Sequence, residues 1–214
     1  MRRIAVLFVV ALGASATTAF AATLSVTTWH LWSGSQTLTK APCTLTGAAV
    51  TTDTYSDEAL VADNSTATTM RVRPSIGTRR WTFVRFDLTS CAIPTTGGAD
   101  TATLSLRITA APATSRTLTV TPVLGTWTGA TLANFTGATA LTYGATTTTF
   151  ATGTTANTVS VPVTIDVDAL IKSSTANYGW RISDAGTGTV ATTLGAANNG
   201  TASNRPTLVI NYAK

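Results

Sequence analysis

The chain has 214 residues, with 14 basic side chains against 9 acidic ones and a pI near 9.7. Charged residues make up 11% of it, against about a quarter in typical globular domains, and so small a basic excess argues against a nucleic-acid binder. Threonine occupies 49 positions, which favours pleated sheet and hydroxyl-covered surfaces over helix. The regular spacing of Val, Leu, Ile and aromatic residues argues against a disordered, mucin-like stalk.

Residues 1–21 read as an export signal. Arg2 and Arg3 supply charge, Ile4 to Leu12 an apolar run, and Ala19-Phe20-Ala21 a small-x-small cleavage site. The apolar run falls short of the roughly 20 residues of a spanning helix, so a secreted protein without a membrane anchor is expected. From Thr23 to Val50 the pattern alternates loosely through Trp29-His30-Leu31-Trp32. The aromatic cluster there is either a sugar platform or the cover of one end of a core. Residues 22–51 are read as one or two edge strands tied to the body by a disulfide, and residues 52–214 as a single all-β domain. Cys43 and Cys91, in an exported chain, most simply pair with each other. The loop closed has a chain-entropy value of about 4 kcal/mol.

Asp53-Thr54-Tyr55 opens the body, followed by a polar loop carrying Asp57, Glu58, Asp63 and Asn64. Two runs then share a two-residue period. Met70, Val72, Val84, Phe86 and Leu88 fall in one phase, while Arg71, Arg73, Arg85 and Asp87 fall in the other. This predicts a half-buried hairpin whose arginines point off the core. Ala102 to Thr109 is the next strand, and Thr117 to Val123 follows it. Gly125 to Asn157 reads as irregular. Val159, Val161, Val163, Ile165 and Val167 alternate with polar residues over a long span, and Asp166 to Ile171 can turn into one short helix. Tyr178, Trp180 and Ile182 share a face, and Thr207 to Tyr212 closes the chain. Strands at this spacing, with Gly-, Pro- and Thr-rich turns, predict an antiparallel β-sandwich.

Catalysis is not expected. His30 is the only histidine, no Gly-x-Ser-x-Gly elbow accompanies it, and the acids lie mostly at strand ends or in loops, where they serve as turn and cap residues.

These segments resemble the DNRLRE domain, a jelly-roll family of secreted bacterial proteins and polysaccharide-degrading enzymes that includes alginate-binding carbohydrate-binding modules. The carriers are Asp53-Thr54-Tyr55, Val84 to Leu88, Ala102 to Leu106, Trp127-Thr128 with Thr131-Leu132, Asp166-Val167, and Arg205-Pro206 with the strand to Tyr212. The resemblance spans about Thr52 to Tyr212. The Trp127 segment departs from the pattern, having Gly129 where an acidic residue is expected. The resemblance implies a jelly roll and a non-catalytic partner for polysaccharide.

Pairing Arg73 with Trp81 across the turn would set Arg71 opposite Phe83. One sheet face would then carry Arg71, Arg73, Trp81, Phe83 and Arg85. Guanidinium forks suit carboxylates and aromatic rings suit sugar faces, so this face is either a site for an acidic polysaccharide such as a uronate polymer or the solvated outside of a sheet. Asp53, Asp57, Glu58 and Asp63 offer oxygens for a structural calcium ion, a frequent feature of carbohydrate-binding jelly rolls, although their spacing fits no EF-hand loop. A structural or adhesive role, with self-assembly through edge strands, is the alternative function.

Overall fold

The structure, a computed structural model, describes residues 40–95, 97–172 and 176–213. Residues 1–21, read above as an export signal, and the cluster Trp29, His30, Trp32 lie outside these residues. Among the described residues, eleven strands form two antiparallel sheets, the architecture expected from the sequence. One sheet runs β1 (Lys40–Thr46), β11 (Thr207–Ala213), β5 (Thr101–Ala110), β10 (Thr192–Gly195) and β3 (Thr69–Val72), with β8 (Asn157–Pro162) alongside β5. The other runs β2 (Thr51–Asp57), β4 (Arg80–Phe86), β9 (Trp180–Ser183), β6 (Thr117–Pro122) and β7 (Thr148–Ala151).

Alternation fills the space between the sheets. Leu104, Leu106 and Ile108 of β5 meet Val84 and Phe86 of β4, Trp180 and Ile182 of β9 and Leu118 of β6, all fully buried. The central disulfide forms as expected: Cys43 on β1 is bonded to Cys91 with Cα atoms 5.9 Å apart, inside the usual range. Cys91 follows a turn capped by Asp87, whose carboxylate accepts from the Thr89 N–H and hydroxyl.

The hairpin pairing predicted for the arginine runs does not form. β3 and β4 belong to different sheets, linked by a bridge between Arg73 and Arg80 and by the Thr82 hydroxyl, which donates to Arg71 O at 2.9 Å. The chain crosses from one layer to the other at that turn, so the apolar phase of both strands still points inward while their outer phases point in opposite directions. A second difference concerns Val159 to Val167. Pro162, which has no N–H to continue a ladder, ends β8. The helix α3 (Thr164–Ile171) follows, burying Val167 and Ile171, four residues apart, while Ile165 is turned to solvent and 75% exposed.

The expected irregular stretch contains strand β7 and two short helices, α1 (Gly129–Leu132) and α2 (Phe135–Ala140). Thr128 caps α1 in a reciprocal box with Thr131, and Asn134 caps α2 through the Thr136 N–H. This segment returns antiparallel to itself at its base: Leu124 N–H donates to Thr142 O, Gly144 N–H to Pro122 O, and Val123 bridges Tyr143.

Asp53 is buried at 3% exposure, its carboxylate accepting from the Ala197 N–H at 2.6 Å. Burial lifts its pKa from 3.8 to about 6, against the downward pull of that hydrogen bond. The folded state therefore holds the proton more tightly than the unfolded chain, and stability declines as pH rises from about 4 to about 6. A displacement of that size corresponds to up to about 3 kcal/mol. Asp53→Asn keeps the acceptor and removes the charge. We expect its melting temperature to exceed that of the parent at pH 7.5 and the advantage to shrink towards pH 4, read by calorimetry across that range. Gly179 gives a second prediction. Its φ is +73°, and a Cβ there would lie 2.1 Å from the Val84 carbonyl oxygen. Gly179→Ala is expected to cost about 2 kcal/mol or more in urea unfolding.

Candidate functional site

The outer face of the five-stranded sheet carries the chemistry. On β4 the outward phase is Trp81, Phe83 and Arg85, as the alternation predicts. β9 adds Arg181, which is registered between Phe83 and Thr121, and Thr54 of β2 stands on the other side of Phe83. The row across four strands is thus Thr54, Phe83, Arg181, Thr121. Thr54 Oγ1, Thr121 Oγ1 and Arg181 Nε are all buried with no hydrogen-bond partner, as is Ser56 Oγ, whose residue pairs with Trp81.

The α1–α2 segment folds over part of this face. Trp127 packs on Phe83 with ring centroids 5.8 Å apart, and its indole N–H donates to Tyr178 O at 2.7 Å. Phe83, Val123, Trp127, Leu132 and Ala138 make a second apolar core outside the sandwich. Phe83 is consequently inaccessible, at 0% exposure, and belongs to packing. This corrects its placement on an open face.

At the margin of the cover, cations and rings alternate. Phe135 lies 4.7 Å from Trp81, and the Arg181 guanidinium sits 4.6 Å from the Trp81 ring and 3.8 Å from that of Tyr143. Arg79 lies 5.0 Å from Phe135, and Arg85 lies 5.1 Å from Trp127. Such stacking fixes the plane of each guanidinium and is worth about 0.5–2 kcal/mol. Burial pushes the Tyr143 phenol up, with the charge of Arg181 pulling it partly back. The Tyr143 hydroxyl donates to Ala138 O, which orients its ring.

The arginines differ in what they hold. Arg79 grips Glu58 through Nε and Nη2, at 3.0 and 2.7 Å, and this holds the Glu58 carboxyl down to about 2. Arg80 pairs with Asp57 at 2.6 Å, and Arg116 with Asp184. Arg85 and Arg181 have no carboxylate partner among the described residues.

Of the five residues predicted from sequence, Trp81, Phe83 and Arg85 share this face. Arg71 is exposed on β3, at the edge of the opposite sheet, and Arg73 sits at the crossover with its Nε buried and unpartnered. The strand-crossing turn separates them from the other three. The shared face of Trp180 and Ile182 puts Arg181 in the opposite phase, but nothing in the sequence connects it to β4, and Phe135 and Tyr143 lie in a stretch without periodicity.

The four acids proposed for calcium are dispersed. Asp53 caps the Ala197 N–H, Asp57 and Glu58 are ion-paired with Arg80 and Arg79, and Asp63 accepts from the Ser65 N–H. Among the described residues, no three His, Cys, Asp or Glu side chains gather as a cation cage. These four do not fit a shared ion.

Comparison with curated proteins returns no match. The model of a protein family described as carbohydrate-binding module family 96 matches residues 45–212, from the end of β1 to the last strand. That span includes both sheets, the covering segment and the arginine–aromatic margin, and the chain therefore belongs to carbohydrate-binding module family 96.

Proposed function

We propose that the protein is an exported, non-catalytic module that binds acidic polysaccharide, a uronate polymer being the preferred class, on the outer face of the five-stranded sheet. The observation that carries this reading is Arg181: a guanidinium held between Trp81 and Tyr143, with no carboxylate of its own among the described residues. A stacked guanidinium loses little further freedom when it meets a ligand, and its fork donates two parallel hydrogen bonds to a carboxylate. Arg85 supplies a second fork on the same face, 5.1 Å from the Trp127 ring. The half-buried Trp81 and Tyr143 rings offer apolar edges to the C–H faces of a pyranose. Because the cations are fixed to strands and to a packed cover, the face is organised before the glycan arrives.

The test is affinity electrophoresis through gels containing alginate or pectate, with a neutral glucan as control. The parent should be retarded by the polyuronates at low salt and released as salt rises. Arg181→Ala and Arg85→Ala should each weaken retardation about tenfold, a loss of about 1.4 kcal/mol, while unfolding stays cooperative and the melting temperature falls only by what the lost stacking accounts for. Arg181→Lys should recover only part of it, since an ammonium keeps charge but not the planar fork. Equal migration of parent and variants in every polyanion gel would sink the proposal.

A further inference from the structure

Away from the sheet face, a cavity of about 180 Å³ opens between α3 and the ends of β6 and β9. Its walls include Leu124, Ile165, Leu170, Tyr178 and Trp180, and the one carboxylate among its lining residues is Asp166. Asp166 Oδ2 accepts the Trp180 indole N–H at 2.8 Å, and the second carboxylate oxygen has no hydrogen-bond partner among the described residues. Two apolar side chains at this cavity are exposed to an unusual degree for their size, Ile165 at 75% and Leu124 at 46%. The Asp166-Val167 pair is one of the segments that the sequence resemblance rests on. Val167 belongs to the core, and Asp166 satisfies the Trp180 indole with one oxygen while the other is left over.

We infer that this cavity is a second carbohydrate site, which takes the terminal neutral sugar ring of a glycan chain. Three features lead there. The volume lies below the roughly 300–1,000 Å³ of pockets for larger ligands, so it admits about one ring and not an internal stretch of polymer. Apolar walls suit the C–H faces of a pyranose, and a fixed carboxylate oxygen accepts from its hydroxyls. The only charge is negative, so a uronate is repelled where a neutral ring is not. The two sites thus divide the chemistry of a mixed glycan: guanidinium forks for acidic residues along the chain, and a carboxylate acceptor for a neutral end.

This inference rests on the carbohydrate-binding reading, and the experiment separates the two. The full chain is titrated with methyl glycosides of glucose, galactose, mannose and fucose, while the Trp180 indole N–H is followed by ¹⁵N NMR. One of these sugars should shift that resonance in the parent and in Arg181→Ala alike. Ile165→Ser, an exposed position, should weaken the shift about tenfold without lowering melting temperature. Thr146→Trp, which fills the cavity from another exposed position on its wall, should abolish it. Polyuronate retardation should persist in both variants. Retardation by polyuronate with no response of Trp180 to any of the four sugars overturns the inference and leaves the sheet-face reading intact. A response that survives Thr146→Trp overturns it as well. Failure of both assays removes the carbohydrate reading itself.

Discussion

The contact between Trp127 and Phe83 is the constraint on which the proposed binding surface depends. A sandwich needs apolar residues on the inner faces of its sheets only, yet β4 carries a phenylalanine on its outer phase. The cover segment solves the problem by bringing its own indole, pinned by a hydrogen bond to the Tyr178 carbonyl, and by adding Leu132 and Ala138. Truncating an indole buried in this way typically costs about 3–5 kcal/mol. Once seated, the segment delivers Phe135 and Tyr143 to the margin where Arg181 and Trp81 wait. The aromatic half of the site is thereby a by-product of how the second core closes.

Charge is handled with the same economy. With few ionic groups, each pairing matters. Where the sheets cross over, Arg79 and Arg80 are consumed by Glu58 and Asp57, and this locks the start of β4 against the end of β2. Arg85 and Arg181, further along the same sheet, stack on rings instead. A ring holds a guanidinium in place without neutralising it, whereas a carboxylate does both. That difference divides structural from available cations on one surface.

Much of this fold was legible in the sequence. Two-residue alternation located β4, β5, β6 and β11 and their inward residues, and two cysteines in a chain read as exported implied the Cys43–Cys91 bond that the structure contains. What alternation cannot state is which sheet a strand joins. Arg71 and Arg85 share a phase pattern, but phase is defined relative to the strand's own layer, and the crossover at Arg73–Arg80 turns the same pattern to opposite sides of the molecule. Phe83 misled for a related reason: an outward phase means exposure only if nothing lies on top, and the covering helices are too short to leave a helical period. Val163 and Val167 fit both a strand and a helix read four residues apart, so the short helix read at Asp166 to Ile171 begins two residues after the true start of α3 at Thr164. Tyr143 had no local signal at all, since its position comes from the antiparallel base of the cover segment.

The disulfide has a mechanical reading. β1 pairs only with β11, and Lys40 stands opposite Ala213, so the two strands present their ends at one corner. Tension applied between those ends would peel the ladder open residue by residue, the weakest geometry for a sheet. Peeling stops after three residues, at Cys43, because its partner Cys91 is anchored at the end of β4 beside the main core. Beyond that point force travels through a covalent bond into the body of the sandwich, so the module resists being unzipped by whatever pulls at that corner.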